Sequence, residues 1–244
     1  MRKYATLILF IVCTVNLSGQ SSFTEIDKKS KSLIDTTLNA IKIANQLTTD
    51  LPEVQQKVRA LYIWITHNIE YDLSQVGTQR DYESNAEIIE DVILEKKGVC
   101  MHYAELFFAM CNAIGIKNYM ISGYTKTFNG KIAPYSHVWN AVVIDSKYFL
   151  LDLTWAAGYI LNGEYVHKFR DNYFLITPKE FINTHMPFDP IWQFLENPIN
   201  NDDFTTNDFT KVETKGEFNF QDSIKTFEKL SELEQLLALS LIHI

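Results

Sequence analysis

The chain has few cysteines, lacks clusters of basic residues and carries only one long apolar run, at its start. Three cysteines in 244 residues are too few for the disulfide framework on which many small secreted domains depend. Acidic residues outnumber basic ones by 30 to 22, so the formal charge is −8. An acidic chain without basic clusters argues against nucleic acid as a partner. After the first run, no stretch is apolar for the roughly 20 residues that a membrane helix needs.

Residues 1–19 are typical of a secretory signal peptide. Two basic residues precede an apolar run over residues 5–17, and small residues follow it. This run of about 13 residues is too short to span a bilayer comfortably. We therefore predict a secreted or periplasmic protein that is cleaved near Gly19. A lipid anchor on Cys13 is disfavoured, because such a site needs a small residue where this chain has Val12.

The other end of the chain is also set apart from the predicted domain. Residues 239–244 read LSLIHI, which matches the translation of an adapter used in sequencing libraries. We predict an artefact here, which would mean that the natural C-terminus is missing; the alternative is a natural apolar helix end. Residues 199–238 are predicted to be a linker or the start of a truncated C-terminal region, because the chain beyond Pro198 is rich in Asn, Asp and Thr.

The remaining residues suit one sizeable domain. Apolar periodicity predicts helices followed by strands. The predicted helices cover 24–49, 50–71, 86–96 and 98–115, with a further short helix after Pro178. The predicted strands cover 119–124, the two arms of a hairpin within 136–155, and pieces at 159–166 and 173–176. Both hairpin arms are apolar on both faces, which is typical of central strands.

Two cysteines, Cys100 and Cys111, remain after removal of the signal peptide. They lie 11 residues apart in one predicted helix, which places their Cα atoms about 16 Å apart. A disulfide needs less than about 7 Å. We therefore expect two free thiols, which in a secreted protein require another explanation.

Cys100 follows Gly98 closely and lies near the start of the helix GVCMHYAELFFAMCNAIG. A helix N-terminus offers unpaired N–H groups and a partial positive charge, which favour a thiolate. The same groups can stabilise the oxyanion that forms when a thiolate attacks a carbonyl. The alternative is a small buried apolar cysteine, and this fits Cys111 better. Cys100 is therefore a candidate nucleophile.

The hairpin predicts a partner pair for this thiol. If Asp145 and Ser146 form a two-residue turn, Trp139 faces Asp152, and His137 is the diagonal neighbour of Asp152 on the same face. A change of one residue in the turn would put the two side chains on opposite faces. The sequence therefore predicts an imidazole beside a carboxylate.

Leucines flank Asp152, so its carboxylate should be buried and should need a partner. One interpretation of its pairing with His137 is a structural hydrogen bond. The functional interpretation is that Asp152 orients the ring, while His137 accepts the thiol proton and later protonates the leaving group.

Cys, His and Asp occur in this order within G-V-C, H-V-W-N and L-D-L-T-W. This arrangement resembles the transglutaminase-like superfamily, from about Val58 to Leu195. The flanks RALYIWITHNIEYD and NYFLITPKEFINTHMPFDPIWQFLENP most resemble the branch with kyphoscoliosis-type peptidases and related cytokinesis proteins. The resemblance implies an α+β, papain-like domain over 24–198, in which the cysteine helix packs on an antiparallel sheet and extra helices precede it.

The resemblance also implies a catalytic triad of Cys100, His137 and Asp152. Its chemistry would run through an acyl-enzyme on the cysteine, resolved by water or by an amine, on a protein or peptide substrate and without a cofactor. We interpret the chain as a peptidase or amidase rather than a transamidase. Some relatives have lost catalysis, so a silent binding or scaffold module is the alternative.

Four residues near the motifs are candidates for lining the substrate cleft: His102, Tyr103, Trp139 and Trp155. The alternatives are core packing for the tryptophans and a solvated helix side for His102.

The remaining histidines share no spacing pattern and are interpreted as surface residues; they are His67, His167 and His185. A metal site needs clustered ligands. Cys100 and His102 with a distant His137 match this poorly, so we predict no metal.

Overall fold

The computed structural model describes residues 18–235 except 35, 36, 79, 214, 215, 217 and 232. Residues 1–17 of the predicted signal peptide and the adapter-like residues 239–244 lie outside this part of the chain. Among the helices that the structure describes, none combines the length and apolar character needed to cross a membrane.

The fold combines helices with a four-stranded antiparallel sheet, as the resemblance implied. The helices are α1 (Ser18–Ser32), α2 (Ala40–Thr48), α3 (Val54–Asn68), α4 (Asn85–Glu95), α5 (Cys100–Ala113), α6 (Leu153–Ala157), α7 (Pro178–Phe181), α8 (Asn201–Thr206) and α9 (Phe220–Phe227). The strands are β1 (Glu70–Tyr71), β2 (Lys97–Gly98), β3 (Asn118–Thr125), β4 (His137–Ile144), β5 (Lys147–Leu151), β6 (Gly158–Leu161), β7 (Glu164–His167) and β8 (His185–Pro187). The main sheet has the order β5-β4-β3-β8.

Helix α5 is the centre of the fold. It packs against β3 and β4 on one side and against α2, α3, α4 and α6 on others. Its residues Leu106, Phe107, Met110 and Cys111 are fully buried, because this helix carries apolar side chains around most of its circumference. Cys111 is therefore a core residue, as expected, and both Cys100 and Cys111 are free thiols.

The N-terminal helices differ from the prediction in their bounds. The stretch predicted as one helix over 24–49 forms α1 and α2, and Asn39 caps α2 by accepting a hydrogen bond of 3.0 Å from the Lys42 N–H group. Helix α3 begins after Glu53 rather than at Asp50. The spacing of apolar residues continues across the break between α1 and α2, so it did not predict that one helix ends there and another begins.

The hairpin of β4 and β5 has the predicted turn and register. Asp145 and Ser146 both have positive φ angles, 50° and 62°, the conformation of the type I′ turn that matches the twist of paired strands. Ile144 pairs with Lys147, and Asn140 pairs with Leu151. The next step of this register sets Trp139 opposite Asp152.

Two expectations for the hairpin were wrong. Strand β5 lies at the edge of the sheet and not at its centre, although both of its faces are covered, Phe149 and Leu151 in one apolar cluster and Tyr148 and Leu150 in another. The strand also ends at Leu151, since Asp152 caps helix α6 by accepting a hydrogen bond from the Trp155 N–H group. Asp152 therefore lies at the end of the strand, not in the middle of a sheet.

The chain after the hairpin also differs from the prediction. The piece predicted over 159–166 is the two-stranded hairpin of β6 and β7. The piece over 173–176 is no strand, because a 3₁₀ turn covers Asp171–Tyr173 and Ile176 forms only an isolated bridge with Leu150.

Helices α8 and α9, in the part predicted as a linker or as the start of a truncated C-terminal region, pack against the domain instead of extending as a linker. Phe204 of α8 and Phe220 and Ile224 of α9 are buried in two clusters beside the main sheet. The sequence around these residues is polar, so it did not indicate this packing. A few large apolar side chains are enough to anchor α8 and α9 on the domain.

Candidate active site

Cys100 is the first residue of α5, with Val99 as the N-cap. The first N–H groups of a helix have no partner within the helix, so those of Cys100 and Met101 point out of its N-terminus. Cys100 is only partly exposed, and the backbone N–H group of Val138 on β4 acts to lower the pKa of its thiol. The thiol therefore lies where the helix start meets the sheet.

His102 holds this helix start in place. Its Nδ1 atom accepts a hydrogen bond of 3.1 Å from the N–H group of Val99, and its Nε2 atom lies 2.7 Å from the hydroxyl oxygen of Tyr82. Gly98 leaves room for the ring, since a Cβ atom there would approach the Cβ atom of His102 to 2.5 Å. His102 is buried, so it neither lines the cleft nor faces solvent, contrary to both sequence interpretations.

His137 and Asp152 form the pair that the hairpin register predicted. The Nε2 atom of His137 lies 2.8 Å from the Oδ2 atom of Asp152, and both side chains are buried. The other oxygen of Asp152 accepts the hydrogen bond of 2.9 Å from the Trp155 N–H group. The Nε2 atom of His137 faces the carboxylate. Its Nδ1 atom is therefore the ring nitrogen that is left to interact with the sulfur of Cys100.

Burial and charge act in opposite directions on these groups. Burial of the thiol would raise the pKa of Cys100, but its hydrogen bond to His137 and the charge of that ring outweigh burial, and the pKa is lowered. Burial would likewise lower the pKa of His137, but Asp152 and Cys100 raise it to about 10. The pKa of Asp152 is lowered in spite of its burial, since two histidines face it. The arrangement therefore favours a thiolate beside an imidazolium.

His185 is the residue of the site that the sequence interpretation missed. It was interpreted as a surface residue, yet it is fully buried, and its Nε2 atom lies 3.1 Å from Oδ2 of Asp152. Burial lowers the pKa of His185, so the ring is neutral and must donate through Nε2 to a carboxylate that only accepts. Its Nδ1 atom then accepts from the hydroxyl of Thr184, at 2.8 Å.

Aromatic rings surround the imidazole of His185. Phe181 stacks on it with ring centroids 3.9 Å apart, and Trp155 and Trp139 lie at 4.7 and 5.1 Å. A ring so enclosed has little freedom to turn, which sets the direction of its hydrogen bond to Asp152. In the sequence, only the apolar neighbours of this histidine could have indicated burial.

Of the four candidates for the cleft, Trp155 alone lines the cavity beside His137. This cavity has a volume of about 600 Å³. Trp139 is buried in the core next to Phe181, and Tyr103 is buried with its hydroxyl donating to the carbonyl of Ile69 at 2.7 Å. These residues were misplaced because the sequence indicated proximity to the motifs but not the direction of the side chains.

One cluster of potential metal ligands includes the pair. One ligand atom each of His137, Asp152 and His185 lies within 4.8 Å of the others. The three groups already satisfy one another by hydrogen bonds of 2.8 and 3.1 Å, and all three are buried. An ion would have to replace those bonds, so we interpret the cluster as a hydrogen-bonded one.

Comparison with known proteins identifies relatives of the region that carries this site. Residues 41–153, which include Cys100, His137 and Asp152, match the model of the transglutaminase-like superfamily. The human kyphoscoliosis peptidase is 32% identical over 165 residues, which cover 65% of this chain and 24% of that protein. Cytokinesis protein 3 of Schizosaccharomyces pombe is 26% identical over 182 residues, covering 71% of this chain and 20% of that protein. This chain thus spans a quarter or less of the length of either relative.

The solved structures that match this chain are more distant in sequence. The periplasmic domain of TgpA from Pseudomonas aeruginosa is 18% identical, with a TM-score of 0.39, and the match covers 54% of this chain and 49% of that one. Arylamine N-acetyltransferase C from Bacillus anthracis is 14% identical, with a TM-score of 0.38 and coverage of 81% and 77%. The family match and the two relatives agree: residues 41–153 of this chain form a transglutaminase-like domain.

Proposed function

We propose that this chain is a secreted cysteine enzyme that cleaves amide bonds through an acyl-enzyme on Cys100. The observation that carries the proposal is the position of His137, which interacts with the thiol on one side and lies 2.8 Å from the buried carboxylate of Asp152 on the other. Nucleophile, base and orienting group in this order are the arrangement that thiol acyl transfer requires. Secretion is supported by the signal-like pattern of residues 1–19, and N-terminal sequencing of the exported protein would test it.

In the acylation step, the thiolate of Cys100 attacks the carbonyl carbon of the substrate amide. A bond forms between sulfur and carbon, and the carbonyl oxygen becomes an oxyanion that the N–H groups at the start of α5 can stabilise. The imidazolium of His137 then gives its proton to the amide nitrogen. The bond between carbon and nitrogen breaks, the amine leaves, and a thioester remains on Cys100.

In the deacylation step, His137 is neutral and accepts a proton from a water molecule. The resulting hydroxide attacks the thioester carbon, the bond to sulfur breaks, and the carboxylic acid product leaves. The thiolate and the imidazolium are thereby restored. An amine in place of water would give a transamidase. We favour water, because the human relative with 32% identity is named a peptidase.

The two buried partners of the imidazole have distinct parts in this scheme. Asp152 orients His137 and stabilises its positive charge. His185 is a positioning residue, because it touches Asp152 and not the thiol. The hydrogen bond from His185 fixes Oδ2 of Asp152, which also faces His137, while the N–H group of Trp155 fixes Oδ1.

The test uses purified protein and a quenched-fluorescence peptide library. Wild-type protein should release fluorescence, and a Cys100→Ala variant should lose more than about 1,000-fold of the rate, since a triad acts as a unit. A Cys111→Ser variant is the matched control, because Cys111 is a buried thiol outside the site, and it should keep the rate. Equal rates for wild type and Cys100→Ala would overturn the proposal.

A parallel reaction separates hydrolysis from transamidation. The library peptides are incubated with a dansylated primary amine, and the products are examined by mass spectrometry. Free carboxylic acid products without dansyl label support the hydrolase, whereas labelled products would identify a transamidase. If Cys100 is alkylated no faster than a free cysteine and the protein cleaves no peptide, the chain would be a binding module that retains the fold.

A further inference from the structure

A cavity lies beside His137, the predicted base of the site. His137 and Tyr71 both line it, and Tyr71 pairs with Gly98, two residues before Cys100. The cavity therefore lies next to the nucleophile, and a substrate whose carbonyl reaches Cys100 would place a neighbouring side chain in it. Its volume of about 600 Å³ is ample for a large side chain and for part of the peptide on either side.

Aromatic side chains are the most frequent kind in the walls of this cavity, six of the fourteen lining residues. They come from β1, the loop after β3, helix α6, the hairpin of β6 and β7 and the 3₁₀ turn that follows it. The aromatic lining residues are Tyr71, Phe128, Trp155, Tyr159, Tyr165 and Tyr173. At the rim, Phe128 is fully exposed and Ile160 is 54% exposed. Aromatic walls bury large apolar groups well and orient other rings by edge and face contacts.

The cation at one end of the cavity, Arg170, is committed to the protein itself. Its guanidinium donates hydrogen bonds of 2.6 and 3.0 Å to the carbonyl of Trp155 and one of 2.9 Å to that of Gly158. It also lies over the rings of Tyr159 and Tyr173, at 5.6 and 5.0 Å from their centroids. These contacts hold Arg170 as a brace between α6 and the β6–β7 hairpin.

The second cation, Lys126, is committed in the same way. Its side chain is buried, and its ammonium group donates a hydrogen bond of 2.6 Å to the side-chain oxygen of Asn207. It also lies 4.2 Å from the ring centroid of Phe204. Besides the tyrosine hydroxyls and His137, whose ring pairs with Asp152, the polar lining residues are threonines, and the described lining includes no carboxylate. A cationic substrate side chain would therefore find no carboxylate in this cavity, and an anionic one would have to compete with the groups that already accept hydrogen bonds from Arg170 and Lys126.

We propose that this cavity is the specificity pocket of the domain and that it binds an uncharged aromatic side chain of a peptide substrate, next to the bond to be cleaved. The proposal rests on the proposed function for the identity of the scissile bond. Burial of an unpaired charge in such a site costs free energy, whereas a ring gains contact with the aromatic walls.

The experiment measures binding without chemistry. A Cys100→Ala variant is titrated with three N-acetylated, C-amidated dipeptides, Ala-Phe, Ala-Lys and Ala-Glu, and dissociation constants are obtained by ligand-observed NMR. The Phe peptide should bind at least about tenfold more tightly than either charged peptide. An equal affinity for all three, or a preference for Lys or Glu, would overturn the proposal.

Two neighbouring residues of β6 provide a matched pair of variants. Ile160 lines the cavity, whereas Leu161 is 53% exposed and is not part of the lining. In the Cys100→Ala background, Ile160→Asp should weaken binding of the Phe peptide at least fivefold, and Leu161→Asp should leave it unchanged. Equal effects of the two variants would show that the pocket does not bind the ring.

The binding result and the proposed function fail in different ways. Selective binding by the Cys100→Ala variant, without cleavage by wild-type protein, would retain the pocket and exclude the enzyme. Cleavage of library peptides without preference for aromatic residues would retain the enzyme and exclude the pocket.

Discussion

The Nε2 atom of His185 lies 3.1 Å from the same Asp152 oxygen that receives a hydrogen bond from His137 at 2.8 Å. One carboxylate oxygen therefore has two imidazole partners, one that carries charge and one that is neutral. The charged ring faces the thiol, and the neutral ring is enclosed by aromatic side chains.

Replacing His185 should weaken catalysis without removing the nucleophile. His185→Phe keeps a ring that can stack on Phe181 but leaves Oδ2 of Asp152 without its second donor. Loss of a donor to a buried group costs about 1–3 kcal/mol, so kcat/KM should fall about 10- to 100-fold with little change in KM. His185→Gln, which retains a donor, should recover part of this loss.

A second readout distinguishes positioning from general destabilisation by His185→Phe. Without the competing donor, the ionised carboxylate of Asp152 attracts the imidazolium more strongly, so the pKa of His137 should rise and the alkaline limit of activity should move to higher pH. A pH profile identical to that of wild type, with reduced activity at every pH, would indicate a structural role only.

Cys100 should react with iodoacetamide faster than a free cysteine at pH 6. Its pKa is lowered by His137, whereas a free thiol has a pKa of about 8.5, so more thiolate is present and the rate should be about tenfold higher. Asp152→Asn should reduce this excess, and Asp50→Asn, at an exposed position, should not. Peptide mapping assigns the adduct to Cys100 or Cys111.

At high pH, the rate of Cys100 alkylation and the rate of peptide cleavage should respond differently. The pKa of His137 is raised to about 10, so the imidazolium persists below that pH and is lost above it. Peptide cleavage needs the imidazolium proton for the leaving group and should fall as the pH rises through about 10. Alkylation needs only the thiolate and should continue; a parallel fall of both rates would contradict the assigned role of His137.

The β4–β5 turn should respond differently to substitution and to insertion. Ser146 adopts a φ of 62°, which is unfavourable for residues other than glycine. Ser146→Gly should raise the free energy of unfolding by about 0.5–1 kcal/mol, measured in urea, and leave alkylation of Cys100 at pH 6 unchanged. Insertion of one glycine after Asp145 should shift the register, separate His137 from Asp152 and reduce alkylation to the rate of a free cysteine.

The buried guanidinium of Arg59 should contribute strongly to stability. It donates two hydrogen bonds of 2.8 Å to Asp27 of α1 and also binds Asp171, and its side chain is only 4% exposed. Arg59→Met would leave Asp27 without its partner and should cost about 3 kcal/mol in urea unfolding. The exposed pair of Lys29 and Asp50 is the control, because Lys29→Ala should cost less than about 1 kcal/mol.

The sequence was most informative where contacts are local. The two-residue turn determines which side chains of the hairpin share a face, so His137 and Asp152 could be paired from residue counting alone. The N-terminus of α5 could likewise be placed from Gly98 and the apolar run that follows, which located Cys100. The family resemblance then supplied the fold and the order of the three groups.

The sequence was least informative where contacts join distant segments. His185 reaches Asp152 only because β8 pairs with β3, and no local pattern reports that pairing. The cap of α6 by Asp152 competes with continuation of β5, and apolar alternation cannot decide between them. Phe204 and Phe220 each pack through one large ring, and the polar sequence around each of them shows no apolar pattern that would predict this packing.

The tight turn at Asp145 and Ser146 also bears on the order in which the protein folds. Hairpins with short turns form within about 1–10 μs, and contacts close in sequence form before distant ones. His137 and Asp152 are 15 residues apart in the chain, whereas His185 lies 33 residues beyond Asp152. We therefore expect the base and its carboxylate to meet early on the folding pathway. The carboxylate of Asp152 would then gain its second imidazole partner, His185, only after β8 has paired with the sheet.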